Sequence, residues 1–176
     1  MYKAKKKKKN AKLWKNSYSS SSSSEMAHTL DEIDWQILSI LQGEARISFK
    51  ELGQRIGLTG TAIAERVRKL EDEGVIEGYS IKLNREKIGL PVMAFFKLRV
   101  NVEFCKQMRE LAIALPEVIE AHRVVGNEHY ILQVVLPSMQ HLEAIMEKFL
   151  QLGTVDVSIV LSTPVANKGI QNESQN

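Results

Sequence analysis

Between residues 59 and 69 the chain sets hydroxyls and cations at spacings suited to gripping a polyanion. Thr59 and Thr61 come first, then Ala62, Glu65, Arg66, Arg68 and Lys69. On a helix these residues lie opposite Ile63, Val67 and Leu70, which recur at i, i+4 and i+7. A helix start attracts phosphate through its unpaired amides and its dipole. Arginine takes guanine or phosphate through two parallel hydrogen bonds. The chemistry implied is the reading of a DNA duplex by one helix laid in the major groove.

Such a helix must be held by its apolar side. Thr59 is placed to N-cap it. Before it, Ser48 and Glu51 have the spacing of a capping box for a shorter helix carrying Phe49, Leu52 and Ile56 on one face. Gly57 is the stop, and Leu58 plugs the turn into the core. Upstream, Ile33, Ile37, Ile40 and Leu41 form a third amphipathic helix opened by Asp31 or the acidic run Asp31–Asp34. Downstream, Gly74 ends the second helix of the pair, and Val75–Leu83 is expected to form two short strands around Gly78. Two helices with a charged face also describe an ordinary hairpin. The third helix and the strand pair make the plan a winged helix-turn-helix. The expected DNA-contacting set is Ser48, Thr59, Thr61, Ala62, Glu65, Arg66, Arg68 and Lys69.

The second half has another rhythm. Residues 84–91 read as a polar linker ending at Pro91. Val92–Asn101 is a strand with Met93, Phe95, Lys97, Arg99 and Asn101 on one face and Ala94, Phe96, Leu98 and Val100 on the other. Helices are expected over Phe104–Leu115 and Ser138–Leu150, and further strands over Val118–Val125, Tyr130–Leu136 and Val155–Ser162. The order βαββαβ specifies a ferredoxin-like sandwich, so the fold class is α+β: an N-terminal winged helix-turn-helix and a C-terminal ferredoxin-like domain. Helices on one side leave the other sheet face bare and partly apolar, and pairing with a second copy would cover it. The expected segments are a Lys/Ser-rich disordered leader (1–25), a DNA-binding domain (26–83), the linker (84–91), a ferredoxin-like domain (92–165) and a disordered tail (166–176).

Composition sets bounds. Residues 1–25 hold eight lysines and one acid, so of the chain's 24 cations and 21 anions the remainder keeps 16 and 20, a balance of −4. The body is therefore mildly acidic, which counts against a non-specific nucleic-acid coat or an architectural chromosome protein. The leader reads either as a basic arm adding phosphate contacts or, preferred here, as an extension ahead of Met26. One cysteine, Cys105, excludes an intrachain disulfide and suits a reducing cytoplasm. No apolar run approaches the roughly 18–20 residues of a membrane span. His28, His122, His129 and His141 lack metal-ligand spacing, and no phosphate loop or nucleophilic triad can be argued, so no cofactor, metal or catalytic residue is expected.

Several motifs occur together in order: Leu30-Asp-Glu-Ile-Asp34, Gln42-Gly-Glu-Ala-Arg-Ile-Ser48, Glu51-Leu…Gly57-Leu, Glu65-Arg-Val-Arg-Lys-Leu-Glu71 and Gly74-Val-Ile-Glu-Gly-Tyr79. In these the chain resembles the leucine-responsive regulator and AsnC (Lrp/AsnC) family of bacterial and archaeal transcription regulators, over about Leu30 to Val165. The resemblance implies a sequence-specific DNA-binding regulator that dimerises through its C-terminal domain. It also implies assembly as far as octamers and modulation by a small effector, often an amino acid, bound at the C-terminal domain interface. The family's Gly-Asp-x-Asp-Tyr effector segment stands here as Gly126-Asn127-Glu128-His129-Tyr130, with both aspartates replaced. Glu128 is acidic but falls on the neighbouring position, which points to the other face of a strand. A different ligand, or none, is therefore open, and His129 is read as a half-exposed turn residue ahead of a pH sensor. The alternative is an enzyme resembling the sirohaem decarboxylases, with His122, Arg123 and His129 around a tetrapyrrole.

Overall fold

The computed structural model describes residues 30–172. The leader, His28 and residues 173–176 lie outside the described residues. Two compact units emerge: residues 30–82 with 165–172, and residues 83–164.

The first unit is built from α1 (Glu32–Gly43), α2 (Phe49–Ile56) and α3 (Gly60–Asp72). Each begins at a capping side chain. Asp31 opens α1 in a full capping box: its carboxylate accepts from the Asp34 amide at 2.8 Å, and the Asp34 carboxylate accepts from the Asp31 amide at 3.3 Å. Ser48 accepts from the Glu51 amide at 3.1 Å, and Thr59 from the Ala62 amide at 3.2 Å. The expected box at Ser48 is half formed. Glu51 accepts from Arg55 at 2.8 Å, one helical turn on, where a second carboxylate from Glu44 also binds that guanidinium. Gly57 takes the left-handed conformation at φ 83°, and its amide and that of Leu58 both donate to the Gly53 carbonyl at 2.8 Å.

The core of this unit is Ile37, Leu41, Leu52, Ile63, Val67 and Leu70. Full burial of such side chains contributes roughly 1.5–3 kcal/mol each. Phe49, expected on the same face, stays 43 % exposed. The turn is closer than spacing suggests: a Cβ at Gly53 would stand 2.5 Å from the Leu58 carbonyl oxygen.

The expected strand pair over Val75–Leu83 does not form. Residues 77–84 carry no regular structure, and Tyr79, Ile81 and Leu83 stand 51 %, 79 % and 56 % exposed. The alternation is that of a strand, but among the described residues no segment pairs with it, and a lone two-stranded ribbon is marginal in water. Residues 165–172, read as tail, belong to this unit: Ile170 donates its amide to Gln42 Oε1 at 2.7 Å and accepts from Gln42 Nε2 at 3.0 Å.

The second unit is a four-stranded antiparallel sheet of β1 (Val92–Val100), β2 (Val118–Arg123), β3 (Tyr130–Leu136) and β4 (Gly153–Ile159), in the order β2-β3-β1-β4. It carries α4 (Cys105–Ala114) and α5 (Met139–Leu150), the latter capped by Ser138. Ala94, Phe96, Leu98 and Val100 pack with Met108 and Ala112 of α4 and Leu142, Ile145 and Phe149 of α5 in one cluster, so both helices cover one face. Phe96 and Phe149 meet edge to face, 6.1 Å between centroids. Register puts Met93, Phe95 and Lys97 beside Val135, Gln133 and Ile131 on the opposite face, flanked by Ser158 and Asp156 of β4. That face has an apolar centre and charged margins, with Lys97 paired to Asp156 at 3.2 Å. No helix among the described residues is long and apolar enough to cross a membrane.

The close approach at Gly53 makes the helix-turn-helix testable. Gly53→Ala is expected to cost about 1–3 kcal/mol through overpacking and to raise amide hydrogen exchange across α2 and α3. Unchanged exchange would show that the turn opens to admit a methyl group.

Candidate nucleic-acid interface and effector segment

The helix α3 is bound to its unit by Ile63, Val67 and Leu70, all essentially fully buried. With that stripe inside, Thr61, Glu65, Arg68 and Lys69 are exposed and Ala62 is half-buried. Lys69 sits a loose 3.9 Å from Glu73 one turn on, and Arg68 makes no ion pair among the described residues. Thr59 and Ser48 use their oxygens to cap α3 and α2. Those two helix starts are close together, since a Cβ at Gly60 would lie 3.4 Å from the Cα of Lys50. Lys50 is exposed at the first turn of α2, beside the start of α3. Its place follows from the turn and carries no signal in the spacing of the α3 residues.

Arg66 behaves differently from the expectation. Its Nη1 donates to Asp31 Oδ2 and to Asp34 Oδ1, both at 2.7 Å. Asp34 is 7 % exposed and is the buried charged residue of this unit. The guanidinium expected on the DNA edge is instead engaged across to the start of α1. The reason is the capping box itself, which sets two carboxylates side by side where a cation is required. The Asp31 carboxyl is held below its ordinary value, chiefly by the Asp34 amide and further by Arg66. The same carboxylates push the Arg66 value up.

In the second unit the segment Gly126–Tyr130, expected to bind an effector, lies between β2 and β3 and runs into β3 at Tyr130. Arg99 Nε donates to the Asn127 carbonyl at 3.1 Å, and the His129 amide donates to the Leu98 carbonyl at 2.8 Å. The His129 Nδ1 lies 2.8 Å from the Val100 carbonyl oxygen. The segment is thus fastened to the end of β1. Of Gly126, Asn127, Glu128, His129 and Tyr130, Tyr130 is the one buried in the core. His122 contacts Glu120 at 3.3 Å on β2 while His129 contacts the Val100 carbonyl of β1, so the two histidines singled out with Arg123 for tetrapyrrole chemistry are held by different strands. Among the described residues no group of three or more His, Cys, Asp or Glu could hold a metal ion.

Comparison with known proteins agrees with this geometry. Residues 30–77 match the model of the winged helix-turn-helix DNA-binding family, and residues 93–170 that of the Lrp/AsnC ligand binding domain. The chain is 40 % identical to the HTH-type transcriptional regulator YezC of Bacillus subtilis over 134 residues, 76 % of this chain and 95 % of that one. It is 36 % identical to the HTH-type transcriptional regulator LrpB of the same organism, over 70 % of this chain and 83 % of that one. Among solved structures it resembles B. subtilis LrpC with a TM-score of 0.75 at 28 % identity, covering 80 % of this chain and 99 % of that one. The fold also matches the transcriptional regulator NMB0573 of Neisseria meningitidis in complex with L-Met, TM-score 0.78 at 24 % identity, over 83 % and 99 % of the two chains.

Two outcomes are expected from these contacts. Arg68→Ala should weaken DNA binding by about 1–3 kcal/mol and reduce the slope of log affinity against log salt by about one ion. Arg66→Ala should weaken binding with the slope unchanged, because no phosphate contact is removed. A titration in gel-shift or anisotropy across salt concentrations separates them, and a lowered slope for Arg66→Ala would return that residue to the DNA edge. The second outcome concerns acid. The folded value of Asp31 lies below the unfolded one near 3.8, so its contribution to stability is present above that pH and is withdrawn as pH falls through the folded value. Asp31→Asn should therefore flatten the acid-side loss of stability of α1 and α3. Identical acid profiles for variant and wild type would contradict the pairing.

Proposed function

The chain belongs to the Lrp/AsnC family of DNA-binding transcription regulators, and from that premise we propose that it acts in the cytoplasm as a symmetric homo-oligomer reading a two-fold operator. The observation that carries the reading is α3, whose apolar stripe is buried while Thr61, Glu65, Arg68 and Lys69 face outward. In this assignment those four, with Ala62, line the major-groove side. Ser48, Thr59 and Lys50 hold phosphates near the two converging helix starts. Arg66 sets the angle of α3 from behind. Domain boundaries follow the composition: DNA binding up to residue 83, a linker over 84–91, and the sheet domain from residue 92.

The C-terminal domain is proposed to dimerise through the sheet face opposite the helices, where Phe95 and Ile131 stay half-buried while Met93 and Val135 are already buried within the protomer. A partly apolar sheet face left in water is a liability that a second copy removes. Pairing two copies then presents two α3 helices to half-sites one helical turn apart, about 10–10.5 base pairs, or a multiple of it. A small effector, amino-acid-like in class, binds the C-terminal domain and shifts the assembly or DNA-binding equilibrium by its differential affinity for the two states. Its relatives are regulators, and the reading here is likewise non-enzymatic.

Selection of genomic fragments on the purified protein tests the reading. The expected product is a short site with dyad symmetry at that spacing, and enrichment of sequences without symmetry would remove the paired-helix geometry. Residues 88–165 expressed alone are expected to remain oligomeric. A monomer by light scattering at micromolar concentration would refute pairing through the sheet face.

A further inference from the structure

We propose that residues 165–172 are a releasable strap, which grips the C-terminal end of α1 and through that helix holds α3 at the angle needed for DNA. The inference rests on the reading that α3 enters the major groove. It adds a device that governs the helix from outside the helix-turn-helix.

The strap follows the last strand of the sheet domain but packs with the DNA-binding unit. The chain therefore passes between the two units twice, at residues 82–83 and 164–165. Gln42, next to last in α1, makes the grip. Its Oε1 accepts from the Ile170 amide at 2.7 Å, and its Nε2 donates to the Ile170 carbonyl at 3.0 Å. One side-chain amide thus satisfies both backbone groups of one residue, as an opposed residue does in an antiparallel ladder. Gly169 lies against the same amide, since a Cβ there would stand 3.4 Å from Gln42 Cδ.

The grip is one that can open. Ile170 lines a groove of about 380 Å³ with Trp35, Leu38, Val75, Ile76 and Tyr79. It nevertheless remains 74 % exposed, so the groove is only partly filled. Both hydrogen bonds are neutral and solvent-exposed, where water competes for each partner. A segment held in this way detaches without unfolding the unit beneath it.

What the strap holds gives it a purpose. The 12 residues of α1 span about 18 Å at about 1.5 Å per residue. Gln42 stands at one end. At the other, Asp31 caps the helix and joins Asp34 in binding Arg66 of α3. Ile37 and Leu41 anchor the length between them in the core. A rigid helix gripped at one end and ion-paired to α3 at the other carries a displacement along its axis. Residues 160–164 alone lead from β4 to the strap, so a change in the sheet domain has a short covalent route to Gln42.

Anisotropy titration with the duplex recovered by genomic selection tests the proposal, using Gln42→Ala, a chain ending at Pro164, Asp31→Asn, and Asp31→Asn combined with each. Both strap variants are expected to weaken binding about threefold or more. Their slope of log affinity against log salt should match wild type, because no phosphate contact is lost. Combined with Asp31→Asn, each should weaken binding by less than the product of the separate fold-changes, as expected for sites acting through one element. Gln42→Ala remains decisive if the shortened chain fails to fold. Strap variants that are folded by circular dichroism and bind as wild type refute the strap and leave the α3 reading standing. A reduced salt slope would place the segment on DNA itself and overturn the mechanical role. Fold-changes that simply multiply refute the route through α1. A wild-type chain that binds no duplex removes the α3 reading, and hydrogen exchange then decides the strap. Faster exchange across α3 in Gln42→Ala supports the link, and unchanged exchange refutes it.

Discussion

The ion pair joining Arg66 to Asp31 and Asp34 is the contact on which the geometry of the DNA-binding unit turns. Hydrophobic burial of Ile63, Val67 and Leu70 presses α3 onto its neighbours but is non-directional. It would tolerate rotation of the helix by some degrees. A guanidinium donating to two carboxylates at 2.7 Å does not. Asp34 is also the partner of the Asp31 amide in the capping box, so the start of α1 and the middle of α3 are fixed by one group of atoms. Such pairs contribute little net stability against a well-packed apolar substitute, yet removal of one member costs about 3–5 kcal/mol when the remaining charge is buried. Asp34 is in that position. For a helix proposed to meet base edges to within a hydrogen-bond length, fixed orientation matters more than a few kcal/mol of stability.

The sheet domain solves a different problem. Its helix-covered face is a closed apolar core, and its open face mixes Met93, Phe95, Ile131 and Val135 with Lys97 and Asp156. A wholly apolar open face would favour aggregation, and a wholly polar one would give no reason to pair. Charged margins around an apolar centre favour one registered partner. The same alternation along β1 serves both ends, because successive residues point to opposite faces. Phe96 is therefore core and Phe95 lies on the opposite face without any change in local structure.

What was legible in the sequence was local. The caps read at Asp31, Ser48 and Thr59 are the ones the structure uses, and Ser138, read as the first residue of its helix, is the cap instead. Helix and strand order followed from periodicity and from glycine and proline stops. The misses share one cause, a partner that the spacing within the element itself does not show. Glu51 chose Arg55 over its cap because a guanidinium was in reach. Arg66 was read outward because helical spacing ignores Asp31 and Asp34, 35 and 32 residues away. Gly53 carried no pattern, since its role is the absence of a Cβ against a carbonyl from the next turn. The strands of Val75–Leu83 had the right alternation, but a ladder needs a pairing segment, and none stands beside them among the described residues. The fold class was legible, while the distinction between a DNA contact and a support for one was not.

Regulation through the C-terminal domain has an energetic ceiling set by ligand size. A ligand with about nine non-hydrogen atoms binds with at most roughly 3–13 kcal/mol at about 0.3–1.5 kcal/mol per atom. Driving a two-state equilibrium from 1:99 to 99:1 requires about 5.5 kcal/mol of difference between the states. A pocket closed on all sides within one protomer would bind equally in both and shift nothing. The sheet here ends in β2, an edge strand whose residues are nearly all exposed. An edge strand is the element whose position can respond to a neighbouring copy, since no second ladder holds it. Differential affinity can therefore arise from a small change in the position of β2 between assembled and dissociated forms. Couplings of this origin fall near 1–3 kcal/mol, enough to tune occupancy of an operator in proportion to effector concentration and too little for an all-or-none switch per site. A graded response of individual sites becomes steep only when several of them act on one assembly.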